Sequence, residues 1–391
     1  MATDMKTDRR RAWVIWPIGA AVTWVGSLVW ASSQAGIGGV AMGLALSAVI
    51  TTVTVSAFLW LDRWKRGRPR ILVSAFVWGA SVAAFGAIWS QQGLQALVDT
   101  AWGPDTGAWV RPLIITPVTE EVLKALFLLW LLVYRRREIA GVVDAIVVAG
   151  LVGAGFSFTE NSLYLGRPLA DVVRSGGTDA AAISILGVTL FIRVLLVPFF
   201  HSLMVALTAI GVGIATRSRG RGTWALPVAT GLLAAIFLHG IWDWAGLASG
   251  DQLLIFRIYG TVMVPVFLAV LISAAVLRHR EARLIAAGVP SLVRDADISL
   301  EEAEPLISLR ARRQRRAELR RNSGWQAARA FGRYQAEASA LALRIARDRR
   351  TDREQLALQR RAAANARAAA SAASVGRRSL AWRRQVPSGR A

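Results

Sequence analysis

The chain has 391 residues, 54% of them hydrophobic, with sixteen Trp and a formal charge of +22. This composition excludes an ordinary soluble globular protein and points to a polytopic membrane protein. Cysteine is absent, which excludes disulfides, thiolate metal sites and a Cys nucleophile, so any chemistry rests on carboxylates, imidazoles or hydroxyls.

From the N-terminus, Arg9, Arg10 and Arg11 precede an apolar run over 12–31. That outline resembles a signal peptide, but the run is too long and seven more follow, so it reads as a retained first span with the arginines as an orientation signal. The further spans are 36–61, 71–89, 110–134, 139–165, 181–216, 224–247 and 253–277, each near or above the ~20 residues needed to cross. Basic junctions at 62–70, 135–137, 217–221 and 278–280 alternate with less basic ones at 91–109, 166–179 and 249–252. The positive-inside rule then puts both termini in the cytoplasm of a multi-pass plasma-membrane protein. The 181–216 run is too long for one simple crossing; Pro198 is expected to split it into a surface or re-entrant piece and a true span.

After Leu277 the composition turns to Ala, Arg, Gln and Glu, which divides the chain into a membrane domain over 1–280 and a tail over 281–391. Ser299 to Glu302 resembles a capping box, with Pro305 limiting the helix that follows. Phe331, Tyr334, Ala338, Leu341 and Ile345 form a narrow helical stripe. The last forty residues, rich in Ala and Arg without pattern, are expected to be disordered or transiently helical. The basic loops and tail suit anionic lipid headgroups in preference to nucleic acid. The fold class is therefore all-α: a transmembrane bundle of about eight spans with a basic, partly helical or disordered cytoplasmic tail.

Four polar elements interrupt successive spans: Glu120-Glu121-x-x-Lys124, Phe156-x-x-x-Glu160-Asn161, His201, and His239-x-x-x-Asp243. An ionisable group near the bilayer centre costs about 2.5 to 3.5 kcal/mol, so such residues are functional candidates by default. Glu120 and Glu121 differ by about 100° around a helix, so they are expected to point apart, one facing a site while the other holds Lys124. His239 and Asp243, at i and i+4, share a face. At 1.5 Å per residue, Glu120 lies ~21 Å from the cytoplasmic end of its span, and His201 and His239 each ~22 Å. Glu160 comes to ~32 Å counted from Ile139, and to ~24 Å if its span begins near Asp144. A common depth in the outer half of the bilayer favours one shared site.

Such a set supports hydrolysis. A Glu takes the proton of a water, directly or at a metal bound to His and carboxylate, and the remaining His and Asp donate to an oxyanion. A divalent metal, with zinc fitting a mixed His and Glu shell, has Glu160, His201 and His239 as candidate ligands. No H-E-x-x-H and no G-x-S-x-G occurs, which excludes the usual zincin and serine hydrolase motifs.

The order E-E-x-x-K, F-x-x-x-E-N, an isolated His and H-x-x-x-D resembles the PrsW family of intramembrane proteases, related to the CAAX prenyl protease and bacteriocin-processing group. The resemblance covers 110–247 and implies that Glu120 and Glu121 supply essential carboxylates. It also implies that Glu160 stands where the wider group often has a His, with His201, His239 and Asp243 completing the site. The implied substrate is a membrane-anchored protein, such as an anti-sigma factor, cut on the extracytoplasmic side. Two other classes stay open: a proton-coupled transporter or channel, against which no internal repeat is found, and a noncatalytic scaffold that uses its tail. Lys124 reads as a charge partner for its two neighbours, Phe156 and Phe158 as packing residues, and Asn161 as an interhelical hydrogen-bonding residue.

Overall fold

The structure, a computed structural model, describes residues 2–64, 69–139, 141–216, 218, 222–251, 253–347 and 353–385. The described residues are helical with no strand among them. They divide into two units: 1–61 with 67–274, and 62–66 with 275–391. Most of the basic junctions around 65–68 and 217–221, and the final residues 386–391, lie outside the described residues.

In the first unit, α1 (Ala2–Leu61) runs for 60 residues but contains Gly36 at φ 72°, ψ 158°, a conformation that glycine adopts without steric cost. Trp24 Nε1 donates to Thr159 Oγ1 at 3.1 Å, and Ser47 Oγ donates to the Phe158 carbonyl at 3.0 Å. Those two residues would stand ~35 Å apart along an unbroken helix, so the chain folds back at Gly36 and α1 is a helical hairpin.

Next come α2 (Pro69–Trp78), a π-helical turn over Gly79–Ala83, α3 (Ala84–Trp102), α4 (Pro104–Val110), a second π turn over Arg111–Ile115 and α5 (Thr116–Tyr134). α6 (Val142–Tyr164) leads into α7 (Gly166–Arg174), within a stretch expected to be a loop, and α8 (Ala180–Leu190) continues as a π turn over Phe191–Leu196. α9 (Phe200–Ala215), α10 (Ala225–Leu247), α11 (Leu254–Ile258), a π turn over Tyr259–Met263 and α12 (Val264–Arg294) follow.

Among the described residues, six helical stretches are long and apolar enough to cross a membrane: 16–61, 69–102, 142–174, 180–215, 225–247 and 254–294. This is a multi-pass membrane protein. The sequence reading has eight, and the two numbers part at α1 and α5. The hairpin at Gly36 makes one stretch of two antiparallel arms, and α5, though 19 residues long, carries three ionisable side chains.

The expected break at Pro198 is present. Val197 leaves the helix at φ −126°, ψ 38°, and its N–H bonds to the Ile192 carbonyl five residues back at 2.9 Å. Ahead of the break most side chains of 180–196 are exposed, whereas those of α9 are mostly buried.

α6 is the helix on which the others pack. Ala145, Ala149, Val152 and Ala154 on it are almost wholly buried, and small residues let neighbouring backbones close in. At Gly153 a Cβ would lie 2.5 Å from the Ser202 backbone, so only glycine lets α9 seat at the residue after His201. Gly153→Val is therefore expected to push the helices apart and cost about 1–3 kcal/mol, read as a lowered thermal midpoint in detergent.

The second unit joins the end of α12 to α13 (Leu300–Ile307), α14 (Leu309–Arg347, kinked at Gly324) and α15 (Arg353–Gln385). Its core contains Ile285, Leu292, Leu306, Tyr334, Leu341 and Ala363. The anticipated stripe is present: Tyr334, Ala338 and Leu341 are buried, with Phe331 and Ile345 packed against them. The end of the tail differs from expectation. Residues 353–385 are helical, and Ala363 and Ala370 enter the core, a contribution that alanines make without a conspicuous apolar pattern.

Arg312 is buried and donates to the Pro305 carbonyl at 3.0 Å, the Leu306 carbonyl at 2.8 Å, the Trp64 carbonyl at 2.6 Å and Ser339 Oγ. It thereby satisfies carbonyls left open at the end of α13. Pro305 sits inside α13, which ends two residues later. At the start of that helix the Glu302 carboxylate accepts from the Ser299 N–H at 2.7 Å and from Arg367 Nε at 3.0 Å. Burial alone would raise the Glu302 pKa, but the Ser299 N–H and Arg367 hold it below the ordinary value. A carboxylate so held stabilises the fold above its ordinary pKa and loses that contribution as pH falls through the lowered one. Hydrogen exchange of 299–307, corrected for intrinsic pH dependence, should lose protection on acidification in the wild type. In Glu302→Gln it should start lower and stay flat.

Candidate functional site

α5 begins after a π turn and places Glu120, Glu121 and Lys124 in the protein interior, with the lysine fully buried. The Lys124 ammonium donates to Glu120 Oε2 at 2.9 Å, to Glu121 Oε1 at 3.0 Å and to His201 Nδ1 at 2.9 Å. An ammonium has three N–H donors, and all three are used. The Phe156 ring lies 3.9 Å below it.

This arrangement corrects the expectation that the two carboxylates point apart. Positions i+3 and i+4 are both neighbours on a helix, so one lysine reaches both carboxylates and draws them together.

Because His201 Nδ1 accepts from Lys124, its Nε2 carries the hydrogen and donates to Glu160 Oε2 at 2.5 Å. Arg193 Nη1 donates to the same oxygen at 2.9 Å. On α10, His239 Nδ1 is 2.8 Å from Glu121 Oε1 and Nε2 is 3.3 Å from Asp243 Oδ2, so the i, i+4 pair shares a face as read from the sequence. Gln91 Nε2 on α3 donates to Glu120 Oε1 at 3.2 Å. Phe200 sets its ring edge-on to both imidazoles, at 5.2 Å from His201 and 5.1 Å from His239.

The six candidate residues and Lys124 thus meet in one hydrogen-bonded network drawn from α5, α6, α9 and α10. A family model for PrsW family intramembrane metalloproteases matches residues 67–270, more than half of the chain.

The chain belongs to the PrsW family of intramembrane metalloproteases. It is a membrane protease, and the motif core over 110–247 falls within the matched region. Among curated proteins and among solved structures, nothing matches it.

A metal is implied by membership of the PrsW family, and the residues fit one. Ligand atoms of Glu120, Glu121, His201 and His239 all lie within 4.8 Å of one another. Bonds of ~2 Å to a central ion set donors at most about 4 Å apart, so binding would draw the group closer together and displace the Lys124 ammonium, which bonds three of the four residues. Glu121 Oε2 is buried without a hydrogen-bond partner, an acceptor that a cation would satisfy. Glu160 is not in this group of four; it bonds the far nitrogen of His201 instead.

Two members of the network were missed from sequence. Arg193 is the lone Lys or Arg in the apolar run 181–216, and the rule that singled out Glu120 applies to it equally. Gln91 carries no such signal. Of the packing residues, Phe158 stacks on Trp24 while Phe156 lines the site, and Asn161 is buried with its Oδ1 unbonded.

Lys124→Met leaves two buried carboxylates without their cation and is expected to cost about 3–5 kcal/mol, seen as a collapse of the thermal midpoint in detergent. Adding Glu121→Gln to that variant should recover part of the loss.

Proposed function

We propose that this PrsW-family chain is an endopeptidase that hydrolyses a peptide bond of a single-span membrane protein, such as an anti-sigma factor, near the outer face of the plasma membrane. The observation that carries this reading is the convergence of two carboxylates and two imidazoles from three helices on one buried point. Eight crossings, with α5 and both arms of α1 counted separately, put the termini in the cytoplasm and agree with the alternation of basic junctions. The common depth of ~21–22 Å from the cytoplasmic ends favours a cut toward the exterior.

In this mechanism Glu120 is the general base. Its side chain is 6% exposed against 0% for Glu121, and Gln91 holds its second oxygen. Glu120 takes a proton from water as the water oxygen adds to the scissile carbonyl, then returns that proton to the leaving amine nitrogen as the C–N bond breaks. Asp243 holds one nitrogen of His239 and so keeps the other turned toward Glu121 and the site. Lys124 neutralises the carboxylate pair. Glu121, His201 and His239 would hold zinc, which when bound polarises water or carbonyl as a Lewis acid. Glu160 then supports His201 rather than ligating the ion, as partners behind a ligand imidazole commonly do. In the tail, the exposed Arg310, Arg313, Arg320, Arg321, Arg329 and Arg333 of α14 supply charge for anionic lipid.

The test is cleavage of candidate single-span proteins by purified protein in proteoliposomes, with metal analysis of the same samples. Glu120→Gln should lower cleavage at least ~10²-fold while zinc content is kept, and His239→Ala should lose both. Undiminished cleavage by Glu120→Gln would remove it as the base.

A further inference from the structure

Glu160 Oε2 receives two donors from opposite sides of the helix break: Arg193 Nη1 at 2.9 Å from the π turn ahead of it, and His201 Nε2 at 2.5 Å from the first turn of α9. Residues eight apart on an unbroken helix stand ~12 Å apart along the axis. Here the non-helical residues at 197–199 and the reach of the guanidinium bring both to a single oxygen. The guanidinium also lies over the Tyr164 ring, 3.7 Å from its centroid. Tyr164 is at i+4 from Glu160, so α6 offers Arg193 a carboxylate and an aromatic face on one side of the helix.

Exposure is graded along this chain of contacts. The Arg193 and Glu160 side chains are each 18% exposed, while His201 is 3%. A carboxylate partnered by His201 alone could rotate toward the wetter side and release the imidazole. The second donor at the same oxygen, itself seated over the Tyr164 ring, removes that freedom. His201 is then fixed with Nε2–H toward Glu160 and Nδ1 toward the Lys124, Glu120 and Glu121 group. Hydrogen-bonded chains of this kind act as a unit.

We propose that Arg193 is a positioning residue of the peptidase site: through Glu160 it sets the ring plane of His201. This rests on the assignment of His201 to the site made above, but its test does not need cleavage.

The sequence contains three histidines, His201, His239 and His279, so protein labelled with ¹⁵N in the imidazole gives three ring systems in detergent micelles. His279→Gln and His239→Gln assign them. In Arg193→Gln the His201 ring nitrogens should shift and broaden, while those of His239, held by Glu121 and Asp243, stay in place. Arg193→Lys keeps a cationic donor for Glu160 without the guanidinium over Tyr164, and should return His201 part of the way. It also carries the test if Arg193→Gln does not fold. An unmoved His201 ring in a folded variant, or equal movement of both rings, would overturn the proposal; the second result would mean that Arg193 only holds the bundle together. Failure of the wild type to cut any single-span protein would count against the peptidase reading and leave the ring measurement standing.

Discussion

The ammonium of Lys124, buried among Glu120, Glu121 and His201, is the interaction on which the membrane unit depends. Each ion taken from water carries a penalty of several kcal/mol even after relaxation, and this one is tolerated because every N–H has an acceptor. The requirement runs outward from there. Glu121 is also bound by His239, His201 by Glu160, and Glu160 by Arg193. α5, α6, α9 and α10 are therefore tied to one another by charge satisfaction as well as by packing.

Packing supplies the close approaches that such bonds need. In lipid no hydrophobic force draws helices together, so small residues that admit neighbouring backbones carry the association. α6 is built of them, and at Gly153 it meets α9 at backbone distance. The break ahead of α9 serves the same end, since it lets a charged side chain from an otherwise lipid-facing stretch turn inward to Glu160. The buried carboxylates and the paired imidazoles then form one candidate site, with acceptors and donors held in place by their neighbours.

The second unit follows a different logic. Its core sets alanines among larger residues such as Ile285, Leu306 and Tyr334, and polar contacts add to the organisation, with buried Arg312 bonding four acceptors and the half-buried Glu302 two donors. Alanine has high helix propensity and little side chain to bury, so α15 joins a core without announcing itself as amphipathic.

What the sequence determined by itself was the class of structure and most of the candidate site. Long apolar runs require helices in a bilayer, and the cost of intramembrane charge marked Glu120, Glu121, Glu160, His201, His239 and Asp243. The i, i+4 relation of His239 to Asp243 and the break at Pro198 were equally local, fixed by helix period and by the missing N–H of proline. Only the tertiary structure decided which atoms meet: that Lys124 joins both carboxylates, that His201 faces it through Nδ1, that Arg193 and Gln91 enter the network, and that α1 turns back at Gly36. The physical reason is that helical periodicity fixes directions within one helix, whereas the rotation and approach of one helix against another come from residues far apart in the chain.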